Sequence, residues 1–232
     1  MYPTAREITE ARTVKIQWFG HSCFLLTTED GTRILTDPYD VKSYSGALRY
    51  KNLDGVKAEI VTISHMTHPD HNFFEAIAGQ PKIVRKPGDT VIGAVTIAGV
   101  TSFHDGAKGK ERGLNTIYII TVDGLRICHL GDLGHVLTEG NVRGMGAVDV
   151  VMVPVGGTYT IDSGQADVVV GIIKPRIVIP MHYKNDRCGF PIDPIGPFIA
   201  DKPNVKHCKS EVVVTKGTLP QETETWVMEY TR

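Results

Sequence analysis

Cysteine is scarce in this chain. Its four residues, Cys23, Cys128, Cys188 and Cys208, lie far apart and form no C-x-x-C pair. That spacing argues against a disulfide framework or a zinc ribbon and leaves reduced thiols in a cytoplasmic protein as the expectation. Long apolar runs are missing too: none approaches the ~20 residues that span a bilayer. The opening stretch MYPTAREITEARTVK has no apolar centre, so a secretory signal is not expected there. Neither sign of charge is in excess. Twenty-five basic residues against 26 acidic ones leave a formal charge of −1. With no basic stripe, neither nucleic acid nor an anionic membrane is an expected partner. Low-complexity linkers and internal repeats are absent as well.

The 232 residues, 41% hydrophobic and 22% charged, suffice for one sizeable core. A single domain over 1–232 is expected, with 1–12 as an N-terminal extension. Short β-rich runs dominate: VKIQWF (14–19), CFLLTT (23–28), RILT (33–36), 59–64, 82–85, 90–103 in two pieces, NTIYIITV, LRICHL, 148–155, 176–181, 212–215 and 225–228. Several are continuous Val/Ile runs, which suit strands buried on both faces. Asp30-Gly31 and Asp123-Gly124 have the composition of tight turns. Helical signals are fewer. Asp162-Ser163-Gly164-Gln165 reads as a capped start, with Ala166, Val169, Val170 and Ile173 at helical spacing and Lys174-Pro175 as the end. Short helices are expected over 72–78 and 137–143, and any helix in 191–201 must be brief. Sheets stacked on each other with helices outside follow from this order.

Histidine is distributed unevenly. Three of the nine fall within SHMTHPDHN, residues 64–72, with Asp70 beside them and directly after the apolar run 59–63. Imidazoles and a carboxylate crowded into one turn at a buried strand end need something to offset their desolvation. A divalent ion does this, and zinc takes neutral imidazole nitrogen and carboxylate oxygen readily. Further donors end other apolar runs: His104 closes VTIAGVTSFHD, Asp132 follows LRICHLGD, and His182 closes RIVIPMHY. Strands remote in sequence whose ends share one sheet edge would gather these side chains.

The motifs GHSCFLL, TDPY, SHMTHPDHN, FHD, HLGDLGH, PVGGTYTID and IPMHY, in this order over roughly 14–183, resemble the metallo-β-lactamase superfamily. Within it they are similar to the small metal-dependent hydrolases related to ascorbate-6-phosphate lactonase. The resemblance implies an α/β (α+β) fold, a four-layer αββα sandwich, with two divalent ions at one edge: zinc first, manganese or iron(II) left open. By motif His65, His68 and His104 would bind one ion, Asp70, His71 and His182 the other, and Asp132 both. Asp37 would support the metal loop through hydrogen bonds. The implied activity is hydrolysis of a small ester, lactone, amide or phosphoester by a metal-activated hydroxide, with Asp70 orienting it and passing a proton. A β-lactam substrate does not follow from the superfamily name.

One departure stands out. The superfamily has a single residue between the first two histidines, whereas Met66 and Thr67 both separate His65 from His68. Either the turn bulges and still delivers His65, or His65 points away and one site lacks a ligand. The bulge is preferred, because an irregular turn absorbs an extra residue more cheaply than a strand does. The second account keeps open a non-catalytic metal-binding protein, and one-iron oxygen chemistry on thiols is a further alternative. His21, His135, Gly157, Thr158 and Tyr183 are candidates for the substrate pocket or for support behind the ligands, His21 equally for a structural histidine hydrogen-bonded in a turn, while His129 is not expected to ligate. Lys108, Lys110 and Arg112 form a small basic loop that could meet a phosphate, although a solvated loop is the plainer expectation. FPIDPIGPF is a segment that could cover the pocket. A small-molecule substrate is the expected partner, and a homo-oligomer is left open.

Overall fold

The structure, a computed structural model, describes residues 12–231. Apart from Arg12, the expected N-terminal extension lies outside the described residues. Two sheets carry the fold. The first contains β1 (Thr13–Gly20), β2 (Cys23–Thr27), β3 (Arg33–Thr36), β4 (Ile60–Thr62) and β5 (Lys82–Val84). The chain then enters the second with β6 (Gly88–Ile92), β7 (Val95–Phe103), β8 (Leu114–Val122) and β9 (Leu125–His129). It continues through α1 (Glu139–Met145), β10 (Val150–Pro154), α2 (Ser163–Ile173), β11 (Ile177–Met181), α3 (Gly196–Ile199), β12 (Val205–Cys208), β13 (Glu211–Thr215) and β14 (Glu224–Met228). The sheet orders are β13-β1-β2-β3-β4-β5 and β12-β14-β11-β10-β9-β8-β7-β6, so only β13 returns to the first sheet.

Burial explains the pairing. In β1, Val14, Ile16 and Trp18 are buried while Lys15 is exposed, the period of two of a strand with one core face. Every residue of β10 and β11 is buried, and these strands run parallel in the middle of their sheet. One apolar cluster joins Ile16, Phe24 and Ile34 of the first sheet to Ile97, Ile120 and Val151 of the second. A smaller one joins Leu35, Val61 and Ile63 to Tyr39, Leu48 and Leu53 of the loop after β3. Asp123-Gly124 forms the two-residue turn between β8 and β9, both residues with positive φ (51° and 77°), as a type I′ turn requires.

The αββα layering is unequal. Helix α2 begins with a reciprocal cap between Asp162 and Gln165, buries Ala166, Val169 and Ile173, ends at left-handed Lys174, and packs against β10. Outside the first sheet the covering layer is coil with 3-10 turns at Ser43–Gly46 and Phe74–Ala76. The helix expected over 72–78 is therefore a single 3-10 turn, too short for its few residues to nucleate an α-helix. Strand β12, which the sequence pattern did not signal, is an edge strand of mixed polarity (VKHC), and it gains its identity only by pairing with β14.

Candidate metal centre

The C-terminal ends of β4, β7, β9 and β11 open on one rim, and the histidines and aspartates expected there follow those ends directly. Imidazoles gather in two groups. One ring nitrogen each of His65, His68 and His104 lies within 4.8 Å of the others, and the same holds for His21, His71 and His182. Asp132 stands between the groups: its Oδ1 is 2.8 Å from His71 Nε2 and 3.6 Å from His182 Nε2, its Oδ2 3.4 Å from His104 Nε2. Asp70 faces the second group, 3.4 Å from His21 Nε2 and 3.5 Å from His71 Nδ1.

His65 joins its group despite the extra residue. Its Nδ1 donates to the Leu114 carbonyl at 2.9 Å, which turns Nε2 inward, where Thr67 Oγ1 lies at 2.7 Å. Met66 points out, 39% exposed, and its carbonyl is held by Asn72 Nδ2 at 2.6 Å. The turn thus absorbs the additional residue on its outer side.

His21 stands beside His71 and His182. Its ring centroid is 4.1 Å from that of His182, and its carbonyl accepts N–H bonds from His182 (3.3 Å) and from Trp18 Nε1 (3.1 Å). The β1–β2 register shifts between Trp18 and Gly20, and this irregularity brings His21 inward. His21, Asp37 and His182 all hold left-handed backbone (φ 52°, 38° and 52°). Such non-glycine positions cost ~1–3 kcal/mol each and persist where the surroundings over-determine them.

The side chains fit a cation. Both ring nitrogens of His21 and the Nδ1 atoms of His104 and His182 are buried without a hydrogen-bond partner among the described residues. Orphaned buried nitrogens are costly unless an ion or water takes them. Burial lowers His65 and His104, and it pushes His182 down to about 3, against the raising charge of Asp132, so these rings are neutral near pH 7, the state that ligates. His71 goes the other way: burial lowers it, but the charges of Asp132 and Asp70 more than offset this. Two buried carboxylates beside three neutral imidazoles are negative charge that divalent ions would balance.

Buried polar groups frame the centre. Asp37 accepts from Ser64 N (2.7 Å) and Ser64 Oγ (2.5 Å), fixing the start of the histidine turn. His129 is 3.8 Å from Asp37 and its Nε2 donates to the Ser22 carbonyl at 2.9 Å, so it belongs to neither imidazole group. Asn115, which sequence reasoning missed, accepts the Asp132 N–H at 2.9 Å and donates to the Leu130 carbonyl at 2.9 Å.

Above the centre lies a cleft of about 300 Å³ floored by His68, Asp70, His104, Asp132 and His182 and rimmed by Tyr44, Arg112, Tyr159 and Phe190. Four of the residues expected to support the centre or line its pocket sit in the frame. His135 donates from Nδ1 to the Val136 carbonyl and accepts the Phe103 N–H at Nε2, so both ring nitrogens are engaged by backbone. Tyr183 is buried with its ring centroid 5.5 Å from Trp18. Gly157 and Thr158 are consecutive left-handed residues (φ 62° and 60°) that shape the loop presenting Tyr159, and Thr158 Oγ1 donates to the Pro191 carbonyl.

The model of the β-lactamase superfamily domain matches residues 15–182, most of the chain and the whole imidazole set. The chain belongs to the metallo-β-lactamase superfamily. A UPF0173 protein of Pyrococcus abyssi is 32% identical, over 73% of this chain and 83% of its own. A UPF0173 metal-dependent hydrolase of Pyrococcus horikoshii is 30% identical over 88% of this chain and 96% of its own. Among solved structures, a protein of Thermotoga maritima named for a Zn-dependent hydrolase of the metallo-β-lactamase superfamily superposes with a TM-score of 0.77 at 34% identity, covering 94% of this chain and 100% of its own. The Thermotoga maritima structure shares the fold over nearly the full length of this chain.

Proposed function

We propose that this superfamily member is a metal-dependent hydrolase of a small molecule with an ester, lactone, amide or phosphoester bond. The observation that carries the reading is Asp132 set between two buried imidazole groups, with a cleft open above them. His65, His68 and His104 would hold one ion, and His71, His182, His21 and Asp70 the other, with Asp132 shared. Zinc fits this nitrogen and oxygen donor set, with manganese or iron as alternatives. Such ions supply Lewis acidity and a nucleophile available near neutral pH.

The residues around them do the rest. Asp70 is buried, which raises its carboxyl, but His71 and His21 outweigh that and hold it well below the usual carboxylate range. An ionised carboxylate at the cleft floor can accept a hydrogen bond from the attacking water and orient it. Tyr44, Tyr159 and Phe190 line the rim and offer flat apolar surface to the substrate. All four cysteines are free, which fits a reducing, cytoplasmic setting, and no helix among the described residues is long and apolar enough to cross a membrane.

Exhaustive dialysis against a chelator tests the reading. Hydrolysis of a panel of nitrophenyl esters and phosphoesters should disappear and the thermal midpoint should fall, both returning with added zinc. Unchanged turnover and midpoint after chelation would sink the proposal.

A further inference from the structure

The loop between β7 and β8 is built around a buried anion of the chain's own. Asp105 is 2% exposed, and its carboxylate accepts four backbone N–H groups, those of Ala107 (2.8 Å), Gly109 (2.8 Å), Glu111 (3.0 Å) and Arg112 (2.8 Å). The loop is closed at its neck by His104 N–H to the Gly113 carbonyl at 3.1 Å, and again by Gly113 N–H to the Gly109 carbonyl at 3.1 Å. A carboxylate with several N–H donors orders a loop as firmly as a bound anion would. Lys108 and Lys110 project from its tip into solvent, but Arg112 comes back to the cleft, one residue from the closing contact with His104.

The Arg112 guanidinium is about two-thirds covered (side chain 35% exposed) and its carbon lies 5.9 Å from the centre of the Tyr159 ring. Its carboxylate neighbour is Glu111, at 3.7 Å, and that side chain is 65% exposed and so weakly held. Lys184 Nζ donates to the Phe190 carbonyl at 2.7 Å. Elsewhere on the rim, Phe190 packs edge-on against Tyr44 (5.4 Å) and Tyr159 (6.1 Å). The rim therefore joins a partly covered, planar cation to a run of aromatic rings.

We infer that Arg112 is a specificity-determining residue that binds an anionic group, carboxylate or phosphate, on a substrate whose flat apolar body lies against Tyr44 and Phe190. A guanidinium presents two parallel N–H donors that match either oxyanion, and a backbone already held by Asp105 leaves only the side chain to be ordered on binding. Asp105 is the positioning residue: it touches no substrate and acts through the backbone of Arg112. The inference rests on the hydrolase reading for the identity of the bound molecule as substrate, while the anion site itself is measured apart from turnover.

Calorimetric titration of the metal-loaded protein with benzoate, phenylphosphonate and neutral benzamide tests it. The two anions should bind at least tenfold more tightly than benzamide. Arg112→Gln should cut that preference at least tenfold, Arg112→Lys should restore only part of it, and Asp105→Asn should reduce it with the guanidinium still present. A tighter phosphonate points to a phosphorylated substrate and a tighter benzoate to a carboxylate. If the ions alone captured the anions, Arg112→Gln would keep the wild-type preference, and that result overturns the inference, as does a wild-type protein with no preference. In parallel, the ratio of kcat/KM for 4-nitrophenyl hydrogen glutarate over 4-nitrophenyl acetate should fall in Arg112→Gln. Failure of the wild type to hydrolyse either ester would count against the hydrolase reading, while the titration still decides Arg112.

Discussion

Asn115 holds Asp132 by its backbone: the amide oxygen accepts the Asp132 N–H at 2.9 Å. The same amide donates to the Leu130 carbonyl and to Ser102 Oγ, so one buried side chain ties β7, β8 and the turn after β9 together. Asn115→Ala removes three bonds and leaves buried groups unpaired, at a cost of about 1–3 kcal/mol. Loss of such an outer support typically lowers metal affinity by about 10–100-fold. Competition for zinc against a chromogenic chelator would measure the second effect, and thermal unfolding the first. An affinity unchanged in the variant would mean that Asp132 does not depend on this support.

The widened histidine turn makes a sharper prediction. His65 faces its group and Met66 faces solvent. His65→Ala should therefore lower the bound-metal stoichiometry, and adding Met66→His to it should not restore the lost equivalent, even though this places a histidine at the superfamily's usual spacing. Elemental analysis after gel filtration reads both. Recovery of the full metal content in the double variant would show that the backbone reverts to the shorter spacing, with the bulge carrying no structural weight.

The contrast between what the residues announced and what they hid has physical reasons. Strands β10 and β11 were readable because a strand buried on both faces must be a continuous apolar run, and β8–β9 because Asp123-Gly124 is suited to positive φ at both turn positions. His65, His68, His104, Asp132 and His182 could be singled out because each follows an apolar run. His21 could not be placed with His71 and His182, since that depends on a register shift in β1–β2 and on a left-handed backbone at His21 itself. His135 carries the same chemistry and sits near Asp132 in sequence, yet its turn points it at the Phe103 backbone. Tyr44, Tyr159 and Phe190 come from three separate loops, and only tertiary packing makes one wall of them.

Two glycines with opposite surroundings give a matched pair of predictions. A Cβ on Gly156 would lie 2.2 Å from the His182 carbonyl oxygen, whereas one on Gly171, in the exposed face of α2, would meet nothing within 4 Å. Gly156→Ala must push the backbone of His182 aside, at a cost of about 1–3 kcal/mol or more, and should weaken metal binding with it. Gly171→Ala should stabilise the protein by about 0.5–1 kcal/mol, because alanine loses less conformational freedom in a helix. Denaturant unfolding of both variants checks the signs, and a Gly156→Ala protein as stable as the parent would contradict the packing.

The last prediction concerns acid. Glu59, just before β4, accepts from Arg33 N (2.8 Å), Nε (3.2 Å) and Nη2 (2.6 Å) at the start of β3. The Arg33 side chain, foremost, holds the Glu59 carboxyl below its ordinary value of 4.5. The two strands are parallel, and their far ends carry Asp37 and the histidine turn, so the pair helps to set the register from which the centre is built. Because the folded protein protonates Glu59 less readily than the unfolded chain does, its contribution is fully present above the ordinary glutamate range. It is lost as pH falls through the lowered folded value. Both side chains are partly exposed, so the effect is that of a surface pair, about 0.2–1 kcal/mol. Glu59→Gln should cost that much at pH 7 and progressively less as pH falls through the lowered folded value, which flattens the acid limb of the stability curve. Urea midpoints for parent and variant at several pH values would show the two curves converging as acid is added; a gap that stayed constant would mean that the carboxylate charge is not what holds the strands in register.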